Sequence, residues 1–193
     1  MENNALTAGV SPDGLKNRTM IRVLICFIIC NFAEFFTKDE LLKIICERKL
    51  ANYFEVCDAL SSLQENGSVD IDKENAQFLP NDNTRLIATT LGNDLPRTVR
   101  DKSLDAAKKL ISRRRSEREN TVEIEPLENG CRVNCTIMNA GDQLMSVSLY
   151  VPDRKYAELV RERFLDAPEY LYRIVFAQLT GTEEIAPESH PEE

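Results

Sequence analysis

The stretch NYFEVCDALSSLQENG, Asn52 to Gly67, decides how the first half of this chain is read. Tyr53, Val56, Leu60 and Leu63 recur at three- and four-residue spacing, which places them on one face of a helix. Asn66-Gly67 closes that helix, since glycine accepts the left-handed conformation a C-cap needs. The remaining positions pose a question. Glu55, Asp58 and Glu65 are acidic, and the stretch holds no lysine or arginine.

Working outward, TKDELLKIICERK precedes it. Thr37 and Glu40 form a capping-box pattern just before Leu41, Leu42, Ile44 and Ile45, a strong helix start. Before that, a helix is expected from about Thr19 to Ala33, apolar on nearly every side and therefore central to a core. Its most apolar run, VLICFIIC, is too short to cross a bilayer, which takes about 20 residues. As a signal-peptide core it is also poor, because cleavage after Ala33 would set Asn31 where a small residue belongs. Cytoplasmic residence and no membrane association are expected. On the other side, Val69 and Ile71 alternate with polar residues, Asp72 to Asn75 turn, and Gln77-Phe78-Leu79 return as a hairpin. Three helices and a hairpin in about 60 residues is the order of a winged helix-turn-helix. LIATTLGNDLP is read as a short helical turn closed by Gly92.

Beyond Leu95-Pro96 a single amphipathic helix is expected over residues 97–118. The charge is distributed unevenly along the chain. Residues 1–96 carry nine basic and fourteen acidic side chains, net -5. Residues 97–118 carry nine and three, net +6; residues 119–193 carry six and fifteen, net -9. After Asn120 the apolar period becomes two. Val122 and Ile124, then Cys131, Val133, Cys135 and Ile137, then Met145, Val147, Leu149 and Val151 define three strands joined by turns at Asn129-Gly130 and 139–142. One apolar sheet face needs a cover, supplied by helices from Asp153 to Leu165 and from Pro168 to Leu179, with Asp166 as the cap of the second.

The expected fold class is α+β: an N-terminal winged helix-turn-helix, a connecting basic helix, and a C-terminal three-stranded antiparallel sheet covered by two helices. The expected divisions are a flexible leader at 1–17, the winged helix-turn-helix at 18–95, the connecting helix at 96–118, the β-β-β-α-α domain at 119–180 and an acidic disordered tail at 181–193.

NYFEVCDALSSLQENG followed by a hairpin, Thr89-Thr90-Leu91-Gly92 closing it, and LPRTVR opening the connecting helix resemble an uncharacterised bacterial family. That family joins an N-terminal winged helix of the PadR/MarR-like kind to a small C-terminal α/β domain. The resemblance covers roughly residues 18–180, and implies the fold and a role in transcription. It supplies no substrate, ligand or operator.

The chemistry narrows the choice further. Six cysteines in a reducing compartment read as buried thiols rather than disulfides. Without a C-x-x-C pair, and with the single histidine, His190, in the tail, no metal site is expected. No Gly-rich phosphate loop, H-E-x-x-H or nucleophile-base pair is present, so neither catalysis nor a cofactor is expected. DNA binding is the sharper reading. Residues at the start of a groove-entering helix meet base edges, which nominates Asn52, Tyr53 and Glu55, while phosphates supply most of the affinity. The cations available are Arg48 and Lys49 in the preceding turn, Lys38 and Lys43, Lys73 at the wing tip, and Arg97, Arg100, Arg113, Arg114 and Arg115 on the basic helix. Lys73 is hemmed in by Asp70, Asp72 and Glu74. The leading expectation is a homodimeric regulator that binds double-stranded DNA, with any small-molecule effector unspecified. The alternative is a winged-helix protein-protein interaction or dimerisation module that does not bind DNA.

Overall fold

The structure, a computed structural model, describes residues 4–182. Among these the chain forms seven α-helices, one 3-10 turn and two three-stranded antiparallel sheets, a mixed α+β arrangement. It divides into two compact units, residues 1–111 and 112–193. The tail expected at 181–193 lies outside the described residues except for Gly181 and Thr182.

In the first unit, α1 (Arg18–Cys30) starts at Asn17, whose side chain accepts from the amides of Thr19 and Met20. Ile21, Leu24, Ile25, Ile28 and Ile29 are fully buried, as expected of a helix apolar on most sides. A two-residue strand, β1 (Phe36–Thr37), follows, then α2 (Lys38–Cys46), with the Thr37/Glu40 capping box formed in both directions. Next are α3 (Tyr53–Glu65), β2 (Asp70–Asp72) and β3 (Gln77–Leu79). The sheet order is β1-β3-β2, with Phe36 opposite Phe78 and Ile71 opposite Phe78 on the other side. Two residues are too few for a periodicity signal, so β1 escapes a sequence reading.

The segment read as a short turn is a ten-residue helix, α4 (Asp82–Leu91). Asn81 and Thr84 make a reciprocal cap, and Ile87, Ala88 and Leu91 then pack on the core. Gly92 closes it as expected, as the C-cap with φ -60°, and the 3-10 turn Gly92–Asp94 continues the chain. A side chain there would press to 3.2 Å from the Phe27 ring.

The leader is not loose over its described part. Leu15 is buried, and its amide donates to the Leu50 carbonyl at 2.7 Å. The Ala5 amide donates to Lys16, and the Ser11 amide to Lys49. Gly14 approaches so closely that a Cβ would sit 2.9 Å from both the Lys49 and Leu50 carbonyl oxygens. Backbone pairing of this kind leaves no periodic signature in the side chains.

The long helix α5 (Arg97–Glu119) carries the boundary between the units. Val99, Ser103 and Ala107 are buried in the first unit. In the second, Ser116 and Asn120 are buried; Asn120 donates to the Ser116 hydroxyl and accepts from the Met138 amide. Strands β4 (Thr121–Leu127), β5 (Gly130–Asn139) and β6 (Asp142–Val151) form the sheet in sequence order. Helices α6 (Arg154–Asp166) and α7 (Pro168–Thr180) complete the unit. Asp166 is not the cap of α7. Ala167 holds that position without a side-chain hydrogen bond, and the Asp166 carboxylate serves Arg113 instead.

Candidate nucleic-acid interface

The turn from α2 to α3 is where charge and exposure coincide in the first unit. Lys49 takes φ 54°, a left-handed conformation that lets the chain reverse, and its amide donates to the Cys46 carbonyl at 2.9 Å. Lys38, Lys43, Arg48 and Lys49 are all exposed, and none of the four has an ion-pair partner among the described residues.

The start of α3 behaves differently from its sequence reading. Asn52 is the N-cap: its Oδ1 accepts from the Phe54 amide at 2.9 Å, and its Nδ2 donates to the Ala8 carbonyl at 2.8 Å. Both ends of the amide are occupied within the chain. Glu55 faces inward and is only 4% exposed. Its Oε2 lies 3.0 Å from Arg18 Nε, while Oε1 accepts from the Leu6 amide at 2.9 Å. This answers part of the charge puzzle, because Glu55 is neutralised by Arg18 and anchors the leader. Asp58 and Glu65 remain outside. Tyr53 and Phe54 are exposed and contact each other edge to face, with ring centroids 5.6 Å apart.

At the hairpin tip, the Asp72 carboxylate accepts from the Glu74 amide and Asn75 Nδ2, and these bonds lower its pKa. The anion is therefore fixed beside exposed Lys73. Arg97 is exposed, with Nε 3.5 Å from Asp101; Arg100 donates to Asn93 Oδ1 at 3.1 Å.

In the second unit the arginine run has internal duties. Arg113, with a side chain only 19% exposed, meets Glu117 at 2.8 Å, Glu162 at 2.8 Å and Asp166 at 2.7 Å. Its Nη1 also donates to the Glu162 carbonyl. Burial works against its charge, but the bonds to Glu117 and Asp166 more than offset that and raise its pKa. Arg113 thus ties α5 to α6 through the carboxylates of Glu162 and Asp166. Arg115 is exposed and pairs with Glu119 at 2.9 Å; Arg114 is half-buried. The residue spacing of α5 alone could not reveal acceptors that lie about fifty positions downstream.

The cysteines are free thiols. Burial pushes Cys26 up to about 12 and Cys46 up to about 11, so both stay protonated at neutral pH. Among the described residues no three His, Cys, Asp or Glu side chains gather as a metal site would require. No described helix is long and apolar enough to cross a membrane.

A model described as "Domain of unknown function (DUF4364)" matches residues 21–179. The chain belongs to the DUF4364 family. The match runs through both units. The description of DUF4364 names neither a PadR/MarR-like winged helix nor an activity. Searches of curated proteins and of solved structures found no match for this chain.

Proposed function

We propose that this DUF4364 protein is a homodimeric, winged-helix transcriptional regulator whose hold on double-stranded DNA comes from the α2–α3 turn. The observation that carries the reading is the unpaired cation group Lys38, Lys43, Arg48 and Lys49 on α2 and the turn that feeds α3. In a helix-turn-helix the second helix enters the major groove while the elements before it meet the backbone. The order α1-β1-α2-α3-β2-β3, with the hairpin returning to pair with β1, supports the winged form of that arrangement. With Asn52 occupied and Arg113 clamped, affinity rests on phosphates, and Tyr53 is the first exposed side chain of α3.

Fluorescence anisotropy on a labelled duplex over a salt series tests this. Binding should fall steeply with salt, and each lost phosphate contact should reduce the log-log slope by about 0.9. Arg48→Ala and Lys49→Gly should each flatten it, the glycine being chosen because it suits φ 54°. Absence of binding to any duplex at low salt would overturn the proposal.

A second reading, a protein-docking module, is favoured by one observation. The exposed Tyr53–Phe54 pair stands on the same helix as exposed Asp58, and aromatic groups of this kind anchor protein interfaces. Loss of a partner protein on Phe54→Ala, with duplex binding absent, would establish it.

A further inference from the structure

We propose that the exposed apolar side chains of α6 and α7 form the surface through which two copies of this chain associate. The inference rests on the homodimer reading above and assigns its interface.

Helix α7 is the unusual element. Tyr170, Leu171, Tyr172, Ile174, Val175, Phe176, Ala177 and Leu179 make it apolar around most of its circumference, yet none of its residues is buried. A helix of that pattern normally lies inside a core. Its first turns behave as expected: Leu171 and Tyr172 pack on the buried residues of the sheet. Val175, Phe176 and Leu179 continue the same face at four- and seven-residue spacing. Cover is lost along that face, with Phe176 49% exposed and Leu179 82% exposed. The helix thus runs on beyond the core it started against, still carrying apolar side chains.

Tyr156 and Leu159 on α6 and Ile174 on α7 are exposed as well. With Tyr170, Phe176 and Leu179 they leave roughly 600 Å² of large apolar side chain in water, taking ~190 Å² for each whole side chain. A stable dimer hides about 800 Å² per partner, of which about two thirds is apolar in homodimers. That sum runs around both helices; Phe176 and Leu179 alone supply roughly 250 Å² of it, about half of one copy's apolar share. Charge permits the pairing too. Between Arg154 and Thr180 five cations accompany four anions, so this pair of helices is nearly neutral in a chain of net charge -8. Two acidic chains can meet here without the repulsion their totals would bring. A two-fold axis through the face would bury each overhanging α7 against its symmetry mate.

The test uses the full chain. Light scattering should give the mass of two chains for the wild type, and of one chain for Phe176→Glu and for Leu179→Glu, with unchanged far-ultraviolet circular dichroism. Hydrogen exchange on the wild type supplies a readout without substitution. Amides of α7 should slow as protein concentration rises through the dissociation range, while those of α1 should not respond. A one-chain mass for the wild type would sink both the homodimer and this interface. A two-chain mass that survives both substitutions, or α7 exchange indifferent to concentration, would overturn the interface alone and leave the dimer standing. Duplex binding that persists in the one-chain variants with about tenfold or greater loss would keep the DNA reading separate from either outcome.

Discussion

The two units solve the burial problem to different degrees. In residues 1–111, α1 is enclosed by its neighbours, and Leu15, Phe36, Leu50 and Val69 from loops and strands seal the remaining gaps. In the second unit the buried apolar set is confined to one sheet face and the inner side of α6, namely Cys131, Val133, Cys135, Ile137, Val151, Ala157, Phe164 and Leu165. Nothing described there encloses α7. Small units bury a smaller fraction of their surface, and recover the deficit through metals, disulfides or association. The association proposed above would give α7 the cover that this unit lacks.

That contrast can be broken at several points. The largest effect should come from the first unit's centre. Ile28→Ala, at a position with no exposure, should cost about 2–5 kcal/mol in chemical denaturation. A loss below ~1 kcal/mol would mean the enclosed core is less tightly packed than its geometry. The second unit should be sensitive to a polar clamp instead. Arg113→Ala strands Glu162 and Asp166 near one another and should destabilise this unit by about 1–2 kcal/mol, the partners being half exposed. In the proposed duplex binding its salt slope should be unchanged, and any flattening would add Arg113 to the proposed DNA surface.

The smallest effect concerns the leader. The hydrogen bond from Lys102, aided by Ser11, holds the Asp13 carboxyl down to about 2, against an ordinary 3.8. A depressed folded-state pKa contributes stability that is present above the unfolded value and lost as pH falls through about 2. Carboxyl carbon NMR should show the Asp13 midpoint near 2 in the wild type and closer to 3.8 in Lys102→Met. An unchanged midpoint would remove this tether of the leader.

Where side chains repeat along one element, reading the sequence worked well. The buried stripe of α1, the Thr37/Glu40 cap, Val56, Leu60 and Leu63 of α3 and the alternation Cys131-Val133-Cys135-Ile137 stand in the structure as their spacing requires, whereas Tyr53, expected on the same inward face, is exposed. The failures share a physical cause. Residues 4–17 hold on through backbone hydrogen bonds, which carry no side-chain pattern, and β1 is too short to show a period. In α4 the Asn81/Thr84 cap was the available signal, obscured by the threonines of LIATT, which are weak helix formers.

The candidate site divides along the same line. By itself the sequence determined that Asn52 to Gly67 is a helix after a cationic turn, that its outward side lacks positive charge, and that the basic block lies beyond Pro96. Spacing along a single element is enough for each. Only the tertiary structure decided which charges remain available: Glu55 turned inward to Arg18, Asn52 capping α3 and holding Ala8, and Arg113 locked between Glu117, Glu162 and Asp166. Those partners lie from four to more than fifty positions away. A charge is spent or available according to what the fold brings within about 3 Å of it, and for distant partners linear order carries no information on that.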